Sequence, residues 1–150
     1  MTATESLLLP EIDEVSRPFW EAAAAGELRM QACARCRASR FPPRPVCPRC
    51  RSFDAQWRTM SGRGRIWSFA VPHPPLLPAF MAVAPYNVVV VELEEDPLLR
   101  MVGNLVEGPD APINSVDPST IRIGEPVQVV FQRVAGDVAL PRWVRASAGG

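Results

Sequence analysis

The stretch CARCRASRFPPRPVCPRC, residues 33–50, holds all four cysteines of a 150-residue chain. They stand as two pairs, Cys33-x2-Cys36 and Cys47-x2-Cys50, on either side of residues 37–46. Two disulfides in so short a stretch would close only small loops, and a redox dithiol needs one such pair, not two. Two tight turns that each offer two thiolates can instead enclose one tetrahedral ion. Four thiolates leave that ion no open position for water or substrate. The reading is one structural zinc on Cys33, Cys36, Cys47 and Cys50, while the spacing equally admits iron in a rubredoxin-like site. Between the pairs, RFPPRPV (residues 40–46) carries three prolines, which exclude helix and join the two turns by stiff extended chain.

The rest of the chain bounds the compartment. Sixteen basic and sixteen acidic residues give a formal net charge of zero, so no global field recruits nucleic acid or an acidic membrane. All the basic residues are arginine. No run of about eighteen apolar residues marks a transmembrane helix. The start, MTATESLLLPEIDE, is acidic with only three consecutive leucines, unlike a secretory signal. The expectation is a cytoplasmic protein with no membrane partner, in a compartment where stable disulfides are rare.

Outward from the cysteines, the pattern resolves into a tail over 1–11, a helix and zinc ribbon over 12–54, a barrel over 55–145 and a second tail over 146–150. Ile12, Val15, Phe19 and Ala23 follow helical spacing over 12–25, with Trp20 beside them and Gly26 as the stop. ELRMQAC alternates, with Leu28, Met30 and Ala32 on one face, and delivers Cys33 at a strand end. After Cys50 come SGRGRIWSFAV, YNVVVVEL, LLRMVGNLV, VQVVFQRV and VALPRWV, five main strands with hairpins at EEDP and around Gly136 and Asp137. That is the strand count of a small OB barrel, although another small barrel or a sandwich has the same count. The fold class expected is mainly β with a short α start: an N-terminal helix and rubredoxin-like zinc ribbon, then a five-stranded OB-fold barrel.

Taken in order, RPFWEAAAAGELRMQAC, the two knuckles around RFPPRPV, SGRGRIWSF, PYNVVVVELEE, GNL, IRIGEPVQVVF and LPRW resemble one family. It is the zinc-ribbon plus OB-fold family of acyl-CoA-associated accessory proteins, once termed domain of unknown function thirty-five. The resemblance covers roughly residues 12 to 144. It implies a non-catalytic accessory or scaffold subunit that works beside thiolase-like enzymes, among them hydroxymethylglutaryl-CoA synthase partners and sterol side-chain aldolases, or beside MaoC-type hydratases. Acyl-CoA would be met through that complex. Some members of the family carry the hydratase domain on the same chain, and here the expectation is a chain without it. The implied cofactor is one structural zinc, with no redox or organic cofactor.

One departure stands out. Zinc knuckles and many members of the family place glycine after the second cysteine of each pair, where this chain has Arg37 and Arg51. If those turns need positive φ, each arginine costs roughly 1 kcal/mol over glycine. Structural zinc contributes on the order of 10 kcal/mol, so the ligand set tolerates this. From Leu28 to Phe53 the chain has arginines at 29, 35, 37, 40, 44, 49 and 51 and no acid. A zinc ion with four thiolates carries about −2, which leaves an excess of about five positive charges.

These arginines either solvate the ribbon or meet phosphate or an acidic partner, because guanidinium groups pair with both. Candidates for CoA, phosphate or partner contact are Arg40, Arg44 and Phe41 in the ribbon and Phe19 and Trp20 on the helix. Adjacent on a helix, Phe19 and Trp20 point about 100° apart, so one can pack while the other stays free. Leu76, Leu77, Phe80 and Met81, in a proline-stiffened loop, either line an acyl channel, seat on a partner or fold back on the barrel. His73, the only histidine, reads as a surface or packing residue. Gly62 and Gly64 read as a turn rather than a phosphate loop. The alternative function is a single-stranded nucleic-acid binder, but NVVVVEL and LLRMVGNLV carry no aromatic and one basic residue, Arg100, with Tyr86 at the edge. A scaffold that never touches CoA is a third reading.

Overall fold

Pro18 sets where the first helix begins. In the computed structural model, which describes residues 8–147, helix α1 runs over Arg17–Ala24 rather than from residue 12. A proline ring clashes with the carbonyl four residues back, so a helix running through from residue 12 is excluded. The chain instead enters by a turn in which the Asp13 carboxylate accepts the Ser16 amide at 2.7 Å. At the other end Gly26 adopts φ +81°. The Gly26 amide donates to the Ala23 carbonyl and the Glu27 amide to the Ala22 carbonyl, a Schellman stop where the sequence places it. Most of the two expected tails, residues 1–7 and 148–150, lies outside the described residues.

Two sheets follow. The smaller has β1 (Arg29–Cys33) at its centre, flanked antiparallel by β2 (Ser39–Arg40) and β3 (Ala55–Thr59). Residues 55–59, grouped with the barrel in the sequence reading, thus pair with β1 along its whole length, from Cys33 opposite Ala55 to Arg29 opposite Thr59. The larger sheet contains β4 (Arg63–Ala70), β5 (Val88–Leu93), β6 (Arg100–Gly103), β7 (Pro126–Ala135) and β8 (Val138–Arg145), in the order β6-β5-β4-β7-β8. Between β4 and β5 the loop winds a single helical turn, α2 (Pro78–Met81).

This sheet curls closed where residues 104–106 meet β8. The Trp143 amide donates to the Asn104 carbonyl at 3.0 Å and the Val106 amide to the Trp143 carbonyl at 2.8 Å. That closure makes the five strands an OB-type barrel. The motifs GNL and LPRW, distant in sequence, are the two lips of this seam. Gly103 is small because Trp143 lies against it: a Cβ there would come within 3.0 Å of Trp143 Cδ1. Polar side chains lock the seam from within. Arg142 Nη1 donates to Asn104 Oδ1 at 2.7 Å and Arg142 Nε to Gln132 Oε1 at 3.2 Å. Asn104 Nδ2 donates to the Asn87 carbonyl, and Asn87 brackets Leu105 with two further bonds. Burial pushes Arg142 down to about 10, so it remains a cation at neutral pH, held here by amide oxygens.

One core runs through both sheets. Phe19, Leu28, Met30 and Met60 from the helix and ribbon side join Ile66, Val91, Met101, Val127 and Trp143 from the barrel. Val89 and Val91 are fully buried, whereas Val88 and Val90 are half-buried. A second cluster, Val83, Tyr86 and Ile113, covers the Val88 end.

Asn104→Ala should remove both the acceptor for Arg142 and the donor to Asn87. The expected loss is about 1–3 kcal/mol, read as a lower urea midpoint at unchanged slope. An unchanged midpoint would show that the seam closes without this network.

Candidate metal centre

The two knuckles are built alike. In the first, the Arg37 amide donates to the Cys33 carbonyl and the Cys33 amide to the Ala38 carbonyl, both at 2.9 Å. In the second, the Arg51 amide donates to the Cys47 carbonyl and the Cys47 amide to the Ser52 carbonyl, again both at 2.9 Å. Each turn closes through a left-handed residue, Arg37 at φ 63° and Arg51 at φ 62°. These are the two positions where glycine was expected, and the backbone takes the glycine conformation with arginine in place.

The turns aim four sulfurs at one point. All four Sγ atoms lie within 4.8 Å of one another, with Cys33 to Cys50 at 3.4 Å and Cys36 to Cys47 at 3.6 Å. Metal–sulfur bonds of about 2.3 Å in a tetrahedron put sulfurs roughly 3.8 Å apart, so the four cysteines fit such an ion and leave no fifth position. Cys33 and Cys47 are buried, Cys50 is half-buried and Cys36 is exposed. The Cys36 amide donates to Cys33 Sγ and, first among the causes, pushes the Cys33 thiol down to about 6. The Cys50 amide likewise lowers Cys47. At Cys50 the Ser52 amide lowers the thiol, but hydrogen bonding with Cys33, burial and the other sulfurs outweigh it and raise it to about 11. One thiol of each knuckle is therefore shifted toward thiolate by a backbone amide before any metal charge acts, which suits the donor set to a divalent ion.

The candidate contact residues separate by placement. Arg40 turns inward: it is buried, donates from Nη2 to the Arg44 carbonyl at 3.1 Å, and leaves Nε and Nη1 without a partner. Gln31 Oε1 accepts the Arg44 amide at 2.7 Å, so both backbone groups of Arg44 are held and its side chain is exposed. Arg40 and Arg44 line a groove of about 420 Å³ that Asp96 and Leu98 of the β5–β6 hairpin complete. Phe19 is buried and packs against Phe41 and Trp20, with ring centroids at 5.5 and 5.0 Å. The helix lies on β1, β7 and β8, so it is seated within its own chain, and of this aromatic trio Phe19 offers no surface while Trp20 and Phe41 are half-buried. In the proline loop, Leu76 and Phe80 fold back on the second core cluster, while the other two candidates, Leu77 and Met81, are exposed. His73 is exposed and its Nδ1 lies 2.7 Å from the Val71 carbonyl. Gly64 lies within β4 opposite Leu93, as part of a strand and not of a phosphate loop.

Three features escaped the sequence reading. Trp67 is exposed on β4 with the Arg100 guanidinium stacked 3.8 Å from its ring centre. Tyr86 is buried against Phe80, so it cannot present a base-stacking face. Phe53, directly after the second knuckle, is 76% exposed. No local pattern could have found the Trp67–Arg100 stack, which depends on strand register. Among the described residues, no helix is long and apolar enough to cross a membrane.

Comparison with known proteins gives one consistent picture. A family model described as the rubredoxin-like zinc ribbon domain of ChsH2 matches residues 20–55, and one for the C-terminal OB-fold domain of ChsH2 matches residues 57–132. A Thermomonospora curvata protein named "Probable enoyl-CoA hydratase alpha subunit" is 37% identical over 88% of this chain and 38% of its own length. The chain thus spans less than two-fifths of that relative. A "DUF35 domain-containing scaffold protein" of Methanothermobacter thermautotrophicus is 37% identical over 68% of this chain and 69% of its own. Among solved structures, a chain of the "Ltp2-ChsH2(DUF35) aldolase" is 36% identical and superposes with a TM-score of 0.77, over 93% of this chain and 100% of the other.

Left-handed backbone costs a residue with a Cβ about 1–2 kcal/mol, and glycine returns about 0.5–1 kcal/mol of that as unfolded-state entropy. Arg37→Gly and Arg51→Gly should therefore each raise stability by about 0.5–1 kcal/mol, a rise of roughly 2–8 °C in Tm for the pair at this size. A lower Tm for the double variant would mean that the guanidinium groups contribute more to the fold than the strain costs.

Proposed function

We propose, since the chain belongs to the ChsH2-type (DUF35) family of zinc-ribbon and OB-fold proteins, that it is a non-catalytic accessory subunit of a heteromeric acyl-CoA-processing enzyme. The observation that carries this reading is the end-to-end likeness to a chain of a solved aldolase assembly. A thiolase-like partner is the first choice. The hydratase-subunit name of another relative supports a MaoC-type hydratase as the second. Acyl-CoA is met through the complex, in the cytoplasm, where thiolates stay reduced.

In this reading the four cysteines hold one structural zinc. The ion supplies no reaction step. It pins two turns that would otherwise splay, and it fixes what those turns display. The chain needs no redox or organic cofactor. Of the contact candidates, Arg44, Trp20 and Leu77 meet the partner or its ligand, and Met81 extends the Leu77 face by one helical turn. Arg40, Phe41, Phe19, Leu76 and Phe80 act from behind: Arg40 by holding the Arg44 carbonyl, Phe19 and Phe41 by bracing Trp20, and Leu76 and Phe80 by anchoring the loop.

Two measurements test this. Elemental analysis should find one zinc per chain. Cys36→Ala should lose the metal and unfold at least the ribbon, as a structural ion coupled to folding requires. Isolation from the native host should bring down an acyl-CoA enzyme in fixed ratio. A chain that purifies with intact disulfides contradicts the metal reading, and one that purifies without such an enzyme contradicts the assembly.

A further inference from the structure

We infer that the two knuckle tips together form a contact face for an acidic surface of the partner protein, an inference that rests on the accessory-subunit reading above. Both knuckles spell the same five residues by type, Cys-x-Arg-Cys-Arg, at 33–37 and 47–51. Each therefore presents two arginines, Arg35 and Arg37 from one turn and Arg49 and Arg51 from the other. The sulfur cluster brings these turns together. All four side chains are exposed.

Most arginines outside the ribbon are engaged: Arg58, Arg63, Arg65, Arg122, Arg133 and Arg142 each donate a hydrogen bond, Arg145 pairs with Glu125, and Arg100 stacks on Trp67. The side chains of Arg35, Arg37, Arg49 and Arg51 have no hydrogen-bond or ion-pair partner among the described residues. Four guanidinium groups on two adjoining turns repel one another, and the metal–thiolate charge of about −2 beneath them offsets only half of their charge.

Strain gives an independent sign. Glycine would relieve the backbone at positions 37 and 51, yet arginine occupies both at the same φ. Strain kept twice at equivalent positions is the kind of local cost that clusters at binding and switch sites. The tips also adjoin an apolar element. The Ala34 amide donates to the Asp54 carbonyl at 2.9 Å, which draws the segment carrying exposed Phe53 alongside the first knuckle. A cationic rim beside one bare aromatic suits a protein surface of carboxylates around an apolar recess. It suits a nucleic-acid strand less well, since tracking a strand calls for a row of aromatics.

The test compares the parent with Arg37→Gly/Arg51→Gly and Arg37→Lys/Arg51→Lys, each assembled with the enzyme that co-purifies from the native host. The glycine pair should raise Tm yet weaken association about ten-fold and flatten its dependence on salt. The lysine pair should bind within about three-fold of the parent. Arg35 and Arg49 should lose reactivity to phenylglyoxal on assembly. Association of the glycine pair at parental affinity overturns the inference while leaving the accessory reading intact. Weakened association with a partner that is not an acyl-CoA enzyme upholds the inference and removes the accessory reading. Tight binding of a single-stranded DNA 20-mer at physiological salt, lost in the glycine pair, overturns it in favour of nucleic acid.

Discussion

A ribbon of this size cannot bury a core of its own, and the structure depends on how that shortage is met. Leu28 and Met30 leave the smaller sheet and enter the same apolar cluster as Ile66, Val127 and Trp143. The Met60 amide donates to the Leu28 carbonyl at 2.8 Å, just before the chain enters the barrel. Ribbon, helix and barrel therefore share one interior. The orientation of the metal turns relative to the barrel is set by packing and not by a linker.

Two kinds of polar interior coexist in this frame. At the metal turns, amides point at sulfur and favour thiolate, so charge is gathered where an ion can answer it. At the seam, a buried guanidinium is surrounded by amide oxygens of Asn104 and Gln132. Two side chains are exceptions among the described residues: Trp143, whose Nε1 is buried and unpaired, and Arg40, with two buried nitrogens unpaired beneath the ribbon surface. The remaining bond of Arg40 fixes the Arg44 carbonyl, and the cost of burying it is consistent with the worth of holding that loop still.

What could be read in advance follows from range. The cysteine turns, the helix stop at Gly26, the apolar face of Leu28, Met30 and Ala32 and the five barrel strands are local patterns, and all are present, although Gln31 on the opposite face of β1 is buried as well. β3 escaped because AQWRT has polar residues on both faces, and only Trp57 reaches the core. The inward turn of Arg40 escaped because composition counts an arginine as surface. The GNL and LPRW motifs were visible, but their meeting across the barrel is a tertiary fact. Helix α1 was judged against the ribbon beside it in sequence, whereas its buried face also lies on β7 and β8.

That last contact bears on how the molecule is made. The helix leaves the ribosome well before one of the strands it lies on, β8. Phe19, Ala22 and Ala23 thus stay without their final cover until β8 has emerged, although both cysteine turns are whole once Cys50 has emerged. A nascent chain can therefore capture its ion early, but it cannot finish its interior from the front end backwards. Helix α1 and β8 meet in one closing event, and loss of either element uncovers the apolar face of the other.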